Sequence, residues 1–222
     1  MFLGQWAVKD AGYMNEIARL HRRGDYILLD NGAAEPEEER VPFPTIVARV
    51  LPYVDEIALP DVLYDTDETI ARTLAFAELV PPRKRMIIPQ GHTWDEWFSC
   101  LQTLAFMLRG EFRTIGVPKH LERLGGRAQG LRFLKSRDYT NNFDVHLLGV
   151  WGNPHTEIQQ AREAFAGVRG IDTGYPLAAA QAGQGVDPDR WGRMSLQNDV
   201  DPNPNHYVGN ILTLRGWCTD DL

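Results

Sequence analysis

Cysteine is nearly absent, with only Cys100 and Cys218 in 222 residues. Neither belongs to a CxxC pair or to a Cys/His cluster of zinc spacing, so no structural metal or disulfide framework is expected. No apolar run approaches the ~20 residues that cross a bilayer. The opening Met1-Phe2-Leu3-Gly4-Gln5-Trp6 lacks both a basic leader and a long apolar stretch, which points away from secretion and toward a reduced, cytoplasmic protein with no membrane partner. No GxGxxG follows the first expected strand and no GxxxxGK[ST] is present, which removes the two commonest nucleotide-binding arrangements. A basic excess is missing as well: the net charge of -7 argues against a protein that coats nucleic acid. Low-complexity tracts and long internal repeats are also lacking.

What is present is a repeated alternation of short apolar runs with amphipathic segments. Phe2 to Val8 reads as a strand, followed by a helix in which Met14, Ile17, Ala18 and Leu20 recur at helical spacing before a His21-Arg22-Arg23-Gly24 stop. Tyr26 to Leu29, Glu56 to Leu59, Met86 to Pro89, Phe112 to Val117, Val145 to Val150 and Gly170 to Asp172 read as further strands. Between them, helices are expected through Ile46 to Leu51, over Thr66 to Leu79 on a stripe of Ile70, Leu74 and Ala77, and from a Thr93/Glu96 capping box. Others follow in the basic segment interrupted by Gly125-Gly126, from a Thr156/Gln159 capping box to Phe165, and over Leu177 to Ala182. Arg193 to Leu196 is an eighth candidate strand, and His206 to Trp217 a terminal helix. Strict βα alternation without hairpins predicts a parallel sheet, and seven or eight units favour a (β/α)8 TIM-type barrel formed as a single domain over residues 1–222.

In such a barrel, catalytic residues collect where strands end at the C-terminal mouth. The expected strand ends here carry Asp30, Asp61, Gln90, Gly116, Leu148 and Asp172. Three carboxylates without histidine ligands suggest acid-base and nucleophilic chemistry, as in glycosyl transfer, although two acids could also hold Mg²⁺. Asp30 and Asp61 have an alternative as helix N-caps, and Asp172 as a turn or cap residue. His92, His146 and His155 lack ligand spacing, and Leu148 also suits a barrel core.

These segments, in this order, resemble the tRNA-guanine transglycosylases, and in particular their relatives that insert 7-deazaguanine bases such as preQ0 into DNA. The resemblance rests on Leu29-Asp30-Asn31-Gly32, Ile57-Ala58-Leu59-Pro60-Asp61, Pro89-Gln90-Gly91, Ile115-Gly116-Val117, His146-Leu147-Leu148-Gly149-Val150 and Gly170-Ile171-Asp172, and spans residues 26–176. It implies Asp172 as the nucleophile at C1′, Asp30 as the proton handler, and Asp61, Gln90, Gly91, Gly116, Val117 and Leu148 around the base, with no cofactor. Asp61 would accept from N1–H and the 2-amino group, while Gln90 and the Gly116 N–H would donate to O6. Ala33 and Ala34 stand where the family has Gly-Gly and a stacking aromatic, leaving Tyr64, His92 and Tyr175 as replacements.

The family's C-terminal zinc motif is absent, which shifts the expected polymer from tRNA toward DNA, with a free 7-deazaguanine base as co-substrate and a homodimer possible. Arg109 to Arg137 carries eight basic residues against Glu111 and Glu122. Lys119, Arg123, Arg127 and Arg132 are therefore the expected phosphate contacts, with the target base flipped out of its stack. Competing readings are a solvated helix surface for that segment, a non-catalytic nucleic-acid-binding subunit, and a metal-dependent barrel lyase or isomerase.

Overall fold

The computed structural model describes residues 1–139, 142–150, 154–186 and 204–218. The chain divides into two compact units, Met1–Pro118 and Lys119–Leu222. In the first, β1 (Phe2–Leu3), β2 (Leu28–Asp30), β3 (Glu56–Ala58), β4 (Arg85–Ile87) and β5 (Thr114–Val117) pair in chain order, all parallel. The connecting helices are α1 (Gly4–Lys9), α2 (Ala11–Arg23), α3 (Phe43–Val50), α4 (Thr66–Ala77) and α5 (Trp94–Met107). In the second unit, α6 (Arg127–Ser136) leads to β6 (Asp144–Leu147), α7 (Pro154–Ala164), β7 (Val168–Ile171), α8 (Tyr175–Gln181) and α9 (Pro204–Cys218), with β6 and β7 parallel. The protein is therefore an α/β fold of parallel strands and covering helices, as the alternation predicts. The candidate strand Arg193–Leu196 lies outside the described residues.

β3, β4 and β5 are buried along their whole length because they are covered on both sides, whereas β1 and β7 are only half-buried. Leu29 lies across from Ile57 and Ile87 across from Ile115, and all four are fully buried. Each such side chain contributes roughly 1.5–3 kcal/mol by leaving water. In the second unit Ile158, Tyr175, Ala179, Val186 and Leu214 close a separate cluster that seats α9.

Local signals set most boundaries. Asp10 caps α2 by accepting from the Tyr13 N–H (2.9 Å), and Gly24, at φ +88°, ends it in the left-handed conformation that glycine adopts without strain. Thr93 caps α5 as expected, accepting from the Glu96 N–H at 3.2 Å, while the Glu96 carboxylate accepts from the N–H of His92 (2.6 Å), one residue further back than in a standard capping box.

Three expectations are corrected. The first strand stops at Leu3, because Gly4 begins a helix that approaches the end of β2 so closely that a Cβ there would lie 2.9 Å from the Asp30 carbonyl oxygen. The buried stripe of α4 is Thr69, Thr73 and Ala77, with Ile70 and Leu74 half-buried at its margins. The hydroxyls decide that register. Thr69 Oγ1 accepts from the Val62 N–H (2.9 Å) and donates to the Val62 carbonyl (3.1 Å), and Thr73 Oγ1 donates to the Pro60 carbonyl (2.9 Å). Finally, α7 starts at Pro154, so Thr156 lies inside the helix rather than capping it; proline at a first helical position forfeits no hydrogen bond.

Candidate functional site

The loops after β2, β3 and β4 bring Asn31, Asp61 and Gln90 together. Asn31 Nδ2 donates to Asp61 Oδ1 (2.7 Å) and to the Leu59 carbonyl (2.7 Å), and Gln90 Nε2 donates to Asp61 Oδ2 (2.5 Å). Gln90 Oε1 in turn accepts from the Tyr64 N–H (3.2 Å), and the Gln90 carbonyl accepts from Thr66 Oγ1 (2.9 Å). The Thr69 and Thr73 bonds pin the segment on either side of Asp61, so α4 fixes the carboxylate in place. Asp61 is only 6% exposed. Burial pushes its pKa up to about 6; the Asn31 and Gln90 bonds pull it back, and the charge of Asp30 adds to the rise. Each carboxylate oxygen can accept twice, so Asp61 keeps acceptor capacity beyond its two amide partners.

Asp30 sits half-buried at the end of β2, and its Oδ1 accepts from the Gly32 N–H (3.1 Å) in a tight side-chain turn. Neither Asp30 nor Asp61 caps the following helix: Asp65 caps α4, and Pro42 precedes α3. Asn31, Gly32, Ala33, Pro60 and Asp61 line a cleft of about 550 Å³, together with Arg40, Arg72 and the rings of Phe43 and Phe76. Tyr64, in a left-handed conformation at φ +67°, is exposed and stacks on His92 (centroids 5.4 Å apart, planes 12° apart) along a second opening. A non-glycine residue held at positive φ stores about 1–3 kcal/mol and marks functional positions more often than others. Of the expected base contacts, Gln90 uses one N–H on Asp61 and retains the other. Gly91 serves packing: a Cβ there would lie 2.6 Å from the Trp97 backbone nitrogen. Gly116 and Val117 are buried within β5.

Gly32 is at φ +74°, and a Cβ on it would lie 2.7 Å from Gln5 Oε1. Gly32→Ala is expected to cost roughly 1–3 kcal/mol through that backbone conformation alone, with the collision against Gln5 adding to it. Urea unfolding measures it, and a variant as stable as the parent contradicts the crowding.

In the second unit Asp172 follows β7 directly. Its N–H donates to the Leu147 carbonyl (2.8 Å), its carbonyl accepts from the Val150 N–H (2.7 Å), and Thr173 Oγ1 donates to the Val150 carbonyl (2.5 Å). The carboxylate is half-buried and forms no hydrogen bond to another described residue. It does not cap α8; the Tyr175 N–H donates to Thr173 Oγ1 instead (3.1 Å). Leu148 is half-buried, and its carbonyl accepts from the Arg127 guanidinium. His146, buried beneath Gly170, has its pKa lowered to about 3 by desolvation, so it is neutral and structural at ordinary pH.

The expected basic face is only partly a surface. Arg123 and Arg132 are exposed, and Lys119 is partly exposed while donating to Glu157 (2.9 Å). Arg127 is a correction. It is 1% exposed, donates twice to Glu157 Oε1 and once to the Leu148 carbonyl, and approaches Glu122 at 3.9 Å. A guanidinium without exposed surface has no phosphate to touch, and burial lowers its pKa against the opposing pull of Glu157, Glu122 and Asp172.

Sequence reasoning missed the bonding role of Asn31, the Arg127–Glu157 pair, and the burial of Gln5. Only Asn31, in an Asp-Asn-Gly segment at a strand end, carried a local signal. The class defined by fold and strand ends is an α/β protein of parallel strands with polar groups gathered at their C-terminal ends. No protein-family model matches the chain, and no curated protein matches it. Among the described residues no helix is long and apolar enough to cross a membrane, and no three His, Cys, Asp or Glu side chains are grouped to hold a metal ion.

Proposed function

We propose that the protein is a base-exchange transglycosylase that replaces guanine in DNA by a free 7-deazaguanine base of the preQ0 type, on strands that close as a (β/α)8 barrel. The observation that carries this reading is the buried Asn31–Asp61–Gln90 cluster at three successive strand ends. A desolvated carboxylate held by two amides and retaining acceptor capacity suits the paired N1–H and 2-amino donors of a guanine-like base. It rejects adenine, whose N1 has no proton to give.

In the reaction, an Asp172 carboxylate oxygen bonds to C1′ of the target nucleotide while the C1′–N9 bond breaks, and guanine departs with the electron pair and takes at N9 the proton of the Asp30 carboxyl, leaving Asp30 as a carboxylate. The incoming base then yields its N9 proton to Asp30, its nitrogen bonds to C1′, and Asp172 leaves as a carboxylate. No metal takes part in either half. The half-buried Asp172 carboxylate, which caps no helix, is compatible with this role. Exposed Arg123 and Arg132 supply the phosphate contacts. The test is transfer of a labelled 7-deazaguanine into duplex DNA, with tRNA in parallel. Label in tRNA alone moves the polymer assignment, and label in neither overturns the reading.

Base affinity should depend on pH through Asp61. The acceptor is the ionised form, so affinity is full above about 6, where the folded carboxyl ionises. Below that it falls by about tenfold per pH unit as protonation competes with the base. Equilibrium binding of labelled guanine between pH 4.5 and 8 checks this, and a flat profile removes Asp61 from base reading.

A further inference from the structure

Gln5 is the second residue of α1, in the turn that follows β1, and is 2% exposed. Both ends of its amide, Oε1 and Nε2, are buried without a hydrogen-bond partner. A buried amide left unsatisfied costs about 1–3 kcal/mol, a cost that asks for a compensating role. Its position supplies one. The amide lies over the α-carbon of Gly32, whose missing side chain makes the space it occupies: a Cβ at Gly32 would lie 2.7 Å from Oε1, 3.3 Å from the amide carbon and 3.6 Å from Nε2. Gly32 lines the same cleft as Asp61, its N–H bonds Asp30, and its neighbour Asn31 bonds Asp61. Gln5 is thus the β1 member of the series that continues with Asp30 and Asn31 after β2, Asp61 after β3 and Gln90 after β4.

We infer that Gln5 is a further specificity-determining residue, whose amide Nε2 donates to the ring C=O of a lactam-bearing heterocyclic base, beside the ring N–H that Asp61 accepts. A primary amide N–H is the complement of that carbonyl, whose oxygen carries two lone pairs and can accept from more than one donor. Asn31 gives both Nδ2 hydrogens to Asp61 and the Leu59 carbonyl, and Gln90 gives one of its two to Asp61, so neither amide is as unengaged as that of Gln5. Gln5, with neither end committed, can turn toward a ligand without breaking a bond in the protein. The inference rests on the base-exchange reading and adds the chemical class of ring edge that the cleft selects.

Gln5→Met keeps the side-chain length and removes the unsatisfied polar atoms, and Gln5→Leu provides a second apolar replacement. The readouts are thermal unfolding and equilibrium binding of labelled guanine, with O6-methylguanine, which has no lactam, as the comparison. The expected result is an unfolding temperature equal to or above that of the parent. Guanine affinity should fall about tenfold or more, as a lost buried pairing would cause, and O6-methylguanine binding should stay unchanged, so that discrimination between the two shrinks. A purely structural Gln5 would lower stability and leave the ratio of the two affinities where it was. If the parent binds guanine and either folded variant retains both its affinity and its discrimination, Gln5 is not a ligand residue and the base-exchange reading stands. If the parent binds no guanine, that reading fails and this one with it.

Discussion

Asp172→Asn is expected to lower base exchange by roughly 10⁴-fold or more while leaving the fold intact. Asparagine matches aspartate in shape, but its amide oxygen carries no full negative charge and cannot form the ester to C1′ on which the proposed exchange depends. Stability should be spared because Asp172 is anchored through its backbone, to the Leu147 carbonyl and the Val150 N–H, and its carboxylate bonds no other described residue. Two measurements check the expectation. Label transfer from 7-deazaguanine to the polymer should disappear, and a covalent protein–nucleic acid adduct, trapped by denaturing the parent during turnover, should be absent from the variant. Transfer that survives undiminished would assign the nucleophile to another carboxylate. Guanine binding should persist in the variant, since Asp61 and its amides are untouched, and that persistence separates loss of chemistry from loss of recognition.

The second large effect is on stability. Arg127→Met should destabilise the protein by about 3 kcal/mol, toward the lower end of what breaking a buried ion pair costs. The low end is expected because Glu157, left in the interior, keeps Lys119 at 2.9 Å. For a chain of this size that corresponds to an unfolding temperature lower by about 6–12 °C. Removing both charges in Arg127→Met with Glu157→Leu should recover most of the loss, because no unpaired buried charge then remains. Thermal unfolding of the two variants decides it: a single variant as stable as the parent would mean that the pair is not under strain from burial. The consequence for function is direct. A loss of polymer binding in an Arg127 variant reports on a disturbed β6 end, through the Leu148 carbonyl that Arg127 holds, and not on a missing phosphate contact.

Much of the local architecture was legible from residue order. Apolar runs bounded by Pro and acids marked β2 through β7 to within a few residues, Gly24 ended its helix, Thr93 capped the next, and Asp30, Asp61 and Asp172 fell at strand ends. These features are written in neighbours a few positions apart, where backbone sterics, caps and hydrophobic period act. The exceptions are instructive. Phe2 to Val8 looks like a strand until Gly4 is seen to pack against the Asp30 carbonyl, and Ile70 and Leu74 look like the buried face of α4 until the Thr69 and Thr73 hydroxyls find carbonyls of the β3 loop.

What the sequence by itself determined, then, is the succession of strands and helices and the presence of acids at strand ends. The tertiary structure alone decided what each polar group does. Asn31 and Asp61 are 30 residues apart, Asp61 and Gln90 are 29 apart, and Arg127 and Glu157 are 30 apart. Each separation is about one βα unit, beyond the reach of any periodic pattern. Whether an arginine faces phosphate or a buried glutamate, and whether a carboxyl ionises near its usual value or near 6, depends on the partner and on the water left around it, and both are set only when distant strand ends meet.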